Sequence, residues 1–172
     1  MSRFAGWEHC PRCRNPLAFG PRADEQHDVL HCVACGLVIY DNPAPTASGL
    51  VARDGRLMLT RRARPPFAGM WDLPGGFVEP LEHPEQALCR ELLEETGLEV
   101  AVERLIGVFT DVYGDGGVST FNLYYHASVV GGAERAADDV SEIGWFRLAE
   151  IPLQELAFAN GREAIVTFVR KS

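Results

Sequence analysis

Two groups of residues in the 172-residue sequence have the types and spacing to hold metal ions. The first is sulfur-based: Cys10-x-x-Cys13 and Cys32-x-x-Cys35, with eighteen residues between the pairs. Two such pairs, each in a turn, can set four thiolates tetrahedrally around Zn2+. Disulfides are the weaker alternative for an intracellular chain. Thioredoxin-like redox chemistry is weaker again, because neither pair has that context. With cysteine in all four places the ion keeps no open position for catalysis. Its expected role is a staple in a segment too small to hold itself together. Cys89 stands apart from both pairs and is expected to pack as a small buried residue.

The second group is oxygen-based: Glu91, Glu94 and Glu95. They fall in a stretch that reads as a helix from about Pro84 to Thr96. Proline is favoured at a first helical position, and Gly97 is suited to end the helix in a left-handed conformation. At about 100° per residue, Leu88, Cys89, Leu92, Leu93 and Thr96 share an arc of roughly 140°, the expected buried face. The three glutamates share the opposite face, since offsets of three and four residues are neighbours. Each like-charged pair costs about 0.2–0.5 kcal/mol on an exposed helix. Arg90 relieves part of this. A hard divalent cation relieves more, because Mg2+ takes oxygen ligands and commonly combines one or two carboxylates with substrate phosphates. A solvated acidic face is the plain alternative. The net charge of −8 bears on the choice: so acidic a chain holds a polyphosphate only with a cation between them.

The elements that must position these groups divide the chain into residues 1–42 and 43–172. The first part is short, rich in turn residues, and has brief strands expected near Asp28–His31 and Leu37–Tyr40. Asp41-Asn42-Pro43-Ala44-Pro45 reads as a break or linker. Beyond it, Ser48–Ala52 and Arg56–Arg62 form an expected hairpin around Asp54-Gly55. Trp71-Asp72-Leu73-Pro74-Gly75-Gly76 ends in a sharp turn ahead of the helix. Strands follow near Val100–Thr110, Ser119–Val130 and Ile143–Arg147, with a helix near Gly161–Val169. The order is mixed rather than regularly alternating, so the expected class is α+β or a layered sandwich. A composition 47% hydrophobic and 23% charged suits one core with a small appendage. No apolar run nears the roughly 20 residues of a membrane span, and the start lacks a signal-like apolar region. A cytoplasmic location without a membrane partner is the default expectation. The acidic balance disfavours nucleic acid, although Arg3, Arg12, Arg14 and Arg22 lend the first part some basic character.

From Gly76 to Leu98 the chain reads GFVEPLEHPEQALCRELLEETGL. This resembles the Nudix box throughout, with Gly76, Glu82, Arg90, Glu91, Glu94, Glu95 and Gly97 at its fixed positions and Leu92 and Leu98 at its apolar ones. The resemblance extends over most of residues 45 to 170. It implies an α/β/α sandwich around a mixed sheet and hydrolysis of a phosphoanhydride bond with Mg2+ (or Mn2+). Carried over by position, Glu91, Glu94, Glu95 and the Gly76 carbonyl are the expected metal ligands. Arg90 is expected to orient a catalytic glutamate, and Glu82 to support the loop or an outer metal. The general base is left between Glu91 and Glu142, since the region around Glu142 often overlies the site in this family. A zinc ribbon ahead of such a domain is similar to NADH pyrophosphatases. Their Ser-Gln-Pro-Trp-Pro-Phe-Pro-type motif is not found in Val108–Gly117, the corresponding stretch.

The substrate implied is a small nucleotide: a nucleoside diphosphate joined to another group, as in ADP-ribose, a dinucleotide cofactor or a nucleotide sugar. Arg61, Arg62 and Arg64 are candidates to meet phosphates, or else solvated charges. Tyr113, Phe121, Tyr124 and Tyr125 are candidates to stack on a base, or else core residues. A homodimer is compatible with the family. The competing class is a nucleotide-sensing or nucleic-acid-binding protein that uses the ribbon as its contact module.

Overall fold

The computed structural model describes residue 4, residues 6–115 and residues 117–171; Arg3 and Gly116, named above, lie outside the described residues. The chain divides between Asn42 and Pro43 into two compact units.

The first unit is a three-stranded antiparallel sheet of β1 (Leu17–Gly20), β2 (Val29–Cys32) and β3 (Val38–Ile39), in that order. Strand β1 was not among the expected elements: Leu17–Gly20 lies between Pro16 and Pro21, which read as turn residues. Each cysteine pair sits in a tight turn of matching pattern. Arg14 N donates to Cys10 O while Cys10 N donates to Asn15 O; Gly36 N donates to Cys32 O while Cys32 N donates to Leu37 O. The fifth residue of both turns has positive φ, 62° at Arg14 and 71° at Gly36.

The second unit is built on a mixed sheet. Its strands are β4 (Ala44–Arg53), β5 (Arg56–Arg62), β6 (Trp71–Asp72), β7 (Gly75–Phe77), β8 (Leu98–Tyr113), β9 (Val118–Gly132) and β10 (Val140–Phe146). The order is β10-β5-β4-β9-β8, with β6 on β5 and β7 on β4; β4 runs parallel to β9 and the other pairs are antiparallel. The two helices, α1 (Pro84–Thr96) and α2 (Ala159–Lys171), cover opposite faces. Neighbouring strand residues therefore enter different cores. Leu50, Leu57, Leu59 and Tyr124 pack with Ala164, Ile165 and Phe168 of α2. Val51, Met58 and Tyr125 pack with Ala87, Leu88 and Leu92 of α1. This is the expected sandwich, and both faces of its central strands are apolar. No helix among the described residues is long and apolar enough to cross a membrane.

Three local features differ from expectation. Strand β4 begins at Ala44, inside the stretch read as a break. Pro45 fits there because its carbonyl, which proline keeps, accepts from Val78 N at 3.0 Å. Helix α1 has the expected ends, with a His83–Gln86 capping box and Gly97 at φ 68°. Its buried face is rotated, however. Leu93 is 51% exposed while Glu95 is only 6% exposed, because the Glu95 carboxylate turns inward to accept from Gly75 N.

Candidate active site

The cavity that gathers chemistry-bearing groups has a volume of about 200 Å3 and opens beside β7 and the start of β9. Glycine is required where α1 meets β7. At Gly75, φ is 141° and a Cβ would fall 2.2 Å from Ala47 O; at Gly76, a Cβ would fall 2.4 Å from the Glu91 carboxylate. The absence of side chains at Gly75-Gly76 thus lets the helix present Glu91 directly against strand backbone.

Arg90 organises the outer end of this arrangement. It forks onto Glu82 (Nε to Oε1 and Nη2 to Oε2, both 2.9 Å), and Nη1 donates to Glu91 at 2.8 Å and Glu94 at 3.2 Å. Nη2 also reaches Phe77 O at 3.1 Å. The fork holds the Glu82 carboxyl down to about 2, helped by the Glu79 amide, and pushes the guanidinium above its ordinary value. Glu91 shows the opposite direction. Burial raises its pKa despite the bond from Arg90. Glu95 is raised well above the usual range, first by burial and then by the charge of Asp139. Asp72 is pushed up to about 6 by burial, against the pull of Arg62. Asp139 adds to the shift in each of these three carboxyls.

The expected site residues separate into those brought together and those not. Gly76, Glu91, Arg62 and Tyr113 line the cavity, and Glu95 lies beneath it through Gly75. Glu94 is exposed and touches the site only through Arg90. Arg61 and Glu142 are elsewhere: they pair with each other at 2.7 Å, and Arg61 also lies over the Trp71 ring and donates to Gly69 O. Arg64 is exposed, 3.9 Å from Asp138. Of the aromatic candidates, Tyr125 belongs to the core on the α1 side and Phe121 is 41% exposed. Tyr124 is buried with its hydroxyl at the cavity, donating to Asn160 Oδ1.

Several lining groups were not anticipated. Asp138 and Asp139 enter from the segment ahead of β10. They precede Glu142 by a few residues, and the strand register is irregular between Val140 and Glu142. That irregularity has no sequence signature. Phe158 stacks on Tyr113 with centroids 5.6 Å apart and an interplanar angle of 16°, while Phe77 meets Tyr113 edge-on at 5.4 Å. Arg62 latches this wall, donating to Tyr113 Oη and Pro66 O, both at 2.8 Å. On the floor, Thr46 donates to Asn122 Oδ1, whose amide nitrogen is held by Phe109 O and Thr120 Oγ1. Asn160 Oδ1 accepts from both Gly161 N and Tyr124 Oη, which orients its amide nitrogen away from those groups.

In the first unit, the Sγ atoms of Cys10, Cys13, Cys32 and Cys35 lie within 4.8 Å of one another. The closest approaches are 3.6 Å for Cys10–Cys35 and 3.5 Å for Cys13–Cys32. Donation from Asn15 holds the Cys13 thiol down to about 6, whereas Cys35, against a backbone bond from Leu37, is pushed up to about 11 by burial and the neighbouring sulfurs. Among the described residues no other group of three or more such ligands converges this closely, the three glutamates included. Cys89 is partly buried and donates to Val100 O at 3.7 Å.

A glycine turn, an acidic helix and an arginine fork thus meet on a mixed sheet, and the comparisons give the family in which this arrangement stands. The NUDIX domain matches residues 42–168. The chain belongs to the Nudix family and is a Nudix hydrolase. It is 38% identical over 120 residues to an ADP-ribose pyrophosphatase of Methanocaldococcus jannaschii, covering 70% of each chain. It is 34% identical over 151 residues to an NAD-capped RNA hydrolase, NudC, of Chromobacterium violaceum. That match covers 87% of this chain but 53% of the relative, so the chain spans about half the length of that protein. Among solved structures, a MutT Nudix hydrolase from Burkholderia pseudomallei has a TM-score of 0.64 at 35% identity, covering 73% of this chain and 98% of its own. A Nudix hydrolase from Nitrosomonas europaea has the same fold at a TM-score of 0.83 and 22% identity, over 95% of this chain and 91% of that one.

Proposed function

We propose that this chain is a divalent-cation-dependent pyrophosphohydrolase that splits the phosphoanhydride bond of a nucleoside diphosphate linked to a second group. ADP-ribose, a dinucleotide cofactor and a nucleotide sugar are the candidate substrates. The observation that carries the reading is a local excess of negative charge. Asp139 acts on Asp72, Glu91 and Glu95 at one cavity, while Arg62 and Arg90 are already bonded to protein oxygens. An all-oxygen donor set with surplus charge fits a hard cation, and the space beside Gly76 that a Cβ would fill lies against Glu91. Glu91, Glu95 and the Gly76 carbonyl, with Glu94, are the residues that would hold Mg2+ or Mn2+. Bound there, the cation would neutralise phosphate charge as water attacks. Zn2+ would be held by the four ribbon cysteines, whose all-sulfur donor set suits it.

The remaining roles belong to the chain itself. Arg90 orients Glu91 and offsets part of its charge. Glu91 and Asp139 are the carboxylates able to take the proton of the attacking water. Glu142, held by Arg61 away from the cavity lining, is not carried forward as the base. Phe77, Tyr113 and Phe158 supply faces for a nucleobase, and the Asn160 amide supplies donors at the floor. The name of the M. jannaschii relative favours ADP-ribose as the first compound to try.

The test is turnover with Mg2+ of a panel containing ADP-ribose, NADH, NAD+, FAD, nucleotide sugars, dinucleoside polyphosphates and nucleoside triphosphates, with products resolved by chromatography. Hydrolysis abolished in Glu91→Gln and Glu95→Gln places the chemistry at the box, and the product pair identifies the bond. Failure of well-folded, metal-supplemented protein to turn over any of them would sink the reading.

A further inference from the structure

Arg62, the last residue of β5, is the one cationic side chain that lines the cavity among the described residues. A phosphate ligand is the obvious role for it, yet each nitrogen of its guanidinium already donates to a different element. Nε donates to Pro66 O in the 63–70 loop at 2.8 Å, Nη1 to Asp72 Oδ2 in β6 at 3.3 Å, and Nη2 to Tyr113 Oη at the end of β8 at 2.8 Å. Only 11% of the Arg62 side chain and 15% of the Asp72 side chain are exposed, and the second Asp72 oxygen accepts from Leu73 N. A shielded ion pair is weak evidence for stability, because desolvation offsets much of the attraction. What this pair fixes is geometry.

Backbone bonds close the loop onto the same residue: Gly69 N donates to Arg62 O at 2.8 Å and Arg62 N to Met70 O at 3.0 Å. The loop then meets the aromatic wall at two points. A Cβ on Gly114, the residue after Tyr113, would fall 3.3 Å from Pro66 Cβ, and Phe67 meets Phe158 edge-on at 5.2 Å. Arg62 Cζ lies 5.6 Å from the Tyr113 ring centre and 5.4 Å from that of Phe158. One planar fork therefore ties the loop, β6 and β8 together beneath the stacked Tyr113–Phe158 pair. The single nitrogen of a lysine would keep the charge but not the fork.

We propose that Arg62 is a positioning residue that sets the Tyr113–Phe158 stack for a nucleobase, and so selects base-bearing phosphates, instead of binding phosphate itself. This rests on the proposed reading of the cavity as a nucleotide site. Loss of the guanidinium frees Tyr113 and the loop together, so its effect falls on ligands that carry a base and spares those that do not.

The experiment compares, by calorimetry in Mg2+, the binding of AMP and of ribose 5-phosphate, which share a ribose phosphate and differ in the base. The parent is expected to bind AMP tighter by about tenfold. Arg62→Met and Arg62→Lys should each remove most of that ratio by weakening AMP alone. Tyr113→Phe, which keeps the ring and the Arg62–Asp72 pair, should lower the ratio by about threefold. Added to Arg62→Met it should cost nothing more, because both changes break the same bond. With ADP-ribose as substrate, Arg62→Met should raise KM more than it lowers kcat. Circular dichroism shows whether each variant is folded. If Arg62→Met is not, Tyr113→Phe and Arg62→Met/Asp72→Asn, which also removes the orphaned carboxylate, decide the matter. The proposal is overturned by equal binding of the two ligands to the parent, by equal losses on ribose 5-phosphate, by recovery in Arg62→Lys, or by an unchanged ratio in Tyr113→Phe. A parent that prefers AMP yet hydrolyses nothing in the panel would remove the hydrolase reading and leave this one standing.

Discussion

The cysteine cluster and the carboxylates at the cavity are held in opposite ways. The four sulfurs have converged, with two contacts near 3.5 Å, on turns that repeat the same backbone pattern. The carboxylates have not converged. Arg90 holds Glu91 and Glu94 from one side, and the Gly75 amide holds Glu95 from another. A closed site has its geometry set by the ligands alone. An open one keeps its ligands apart, each on a separate protein bond, so that a cation and a substrate phosphate would complete the set.

The largest effect should come from breaking the closed site. Cys32→Ser removes a buried sulfur of the proposed zinc site, and since structural zinc in such peptides contributes about 10–16 kcal/mol, the ribbon is expected to lose both its metal and its sheet. Metal analysis would read zero in place of one zinc per chain, and the amides of β1 to β3 would lose exchange protection. Retained protection without zinc would show that the turns, not the metal, hold the sulfurs together.

Breaking the open site should cost activity rather than structure. Glu95→Gln is expected to lower kcat/KM by about 10²–10⁴-fold while raising Tm, because an amide avoids the cost of burying a carboxylate and can still accept from Gly75 N. A fall in both quantities would mean that the Glu95 charge is structural.

Asp72 sharpens the same contrast through pH. Its folded-state value of about 6 lies above the usual 3.8, so the fold is favoured when it is protonated and loses that contribution as pH rises through 6. Asp72→Asn should therefore be more stable than the parent at pH 8, by about 1–3 kcal/mol, and equal to it near pH 3.5. Denaturant titrations at the two pH values decide it. A stability difference independent of pH would assign the change to lost bonding with Arg62 or Leu73 instead.

The smallest effect is expected at Glu142, which the cavity does not include. Glu142→Gln should change kcat/KM by less than about twofold and cost about 0–1 kcal/mol through its exposed pair with Arg61. Asp139→Asn, by contrast, should lower kcat/KM by about 10²-fold. Reversed magnitudes would return the base to Glu142.

The parts legible in the sequence are those set by local chemistry. Pro84 and Gly97 bracket α1 because each has a specific backbone preference, and the cysteine spacing needs only two turns. The turn at Asp54-Gly55 is legible for the same reason. What was not legible depends on partners distant in the chain. Glu95 points inward because an unpaired amide at Gly75 lies beside it, which no helical period reveals. Leu93 is displaced outward by the same rotation. Pro45 belongs to a strand because its missing donor is not called upon there. Asp139 lines the cavity from the segment ahead of β10, whereas Glu142 within the strand pairs with Arg61.

The parallel pairing of β4 with β9 has a consequence in time. Thr46 and Asn122 are 76 residues apart, yet their 2.7 Å bond forms part of the cavity floor. As the polypeptide leaves the ribosome, the β4–β5 hairpin and α1 have their local partners early, whereas β4 waits for β9 with one edge bare. Until residues near 122 have been made, an acidic helix can exist but no vessel for substrate can. The enzyme is thus assembled late and as a whole, and a chain arrested before β9 is expected to be an aggregation hazard rather than a weak catalyst.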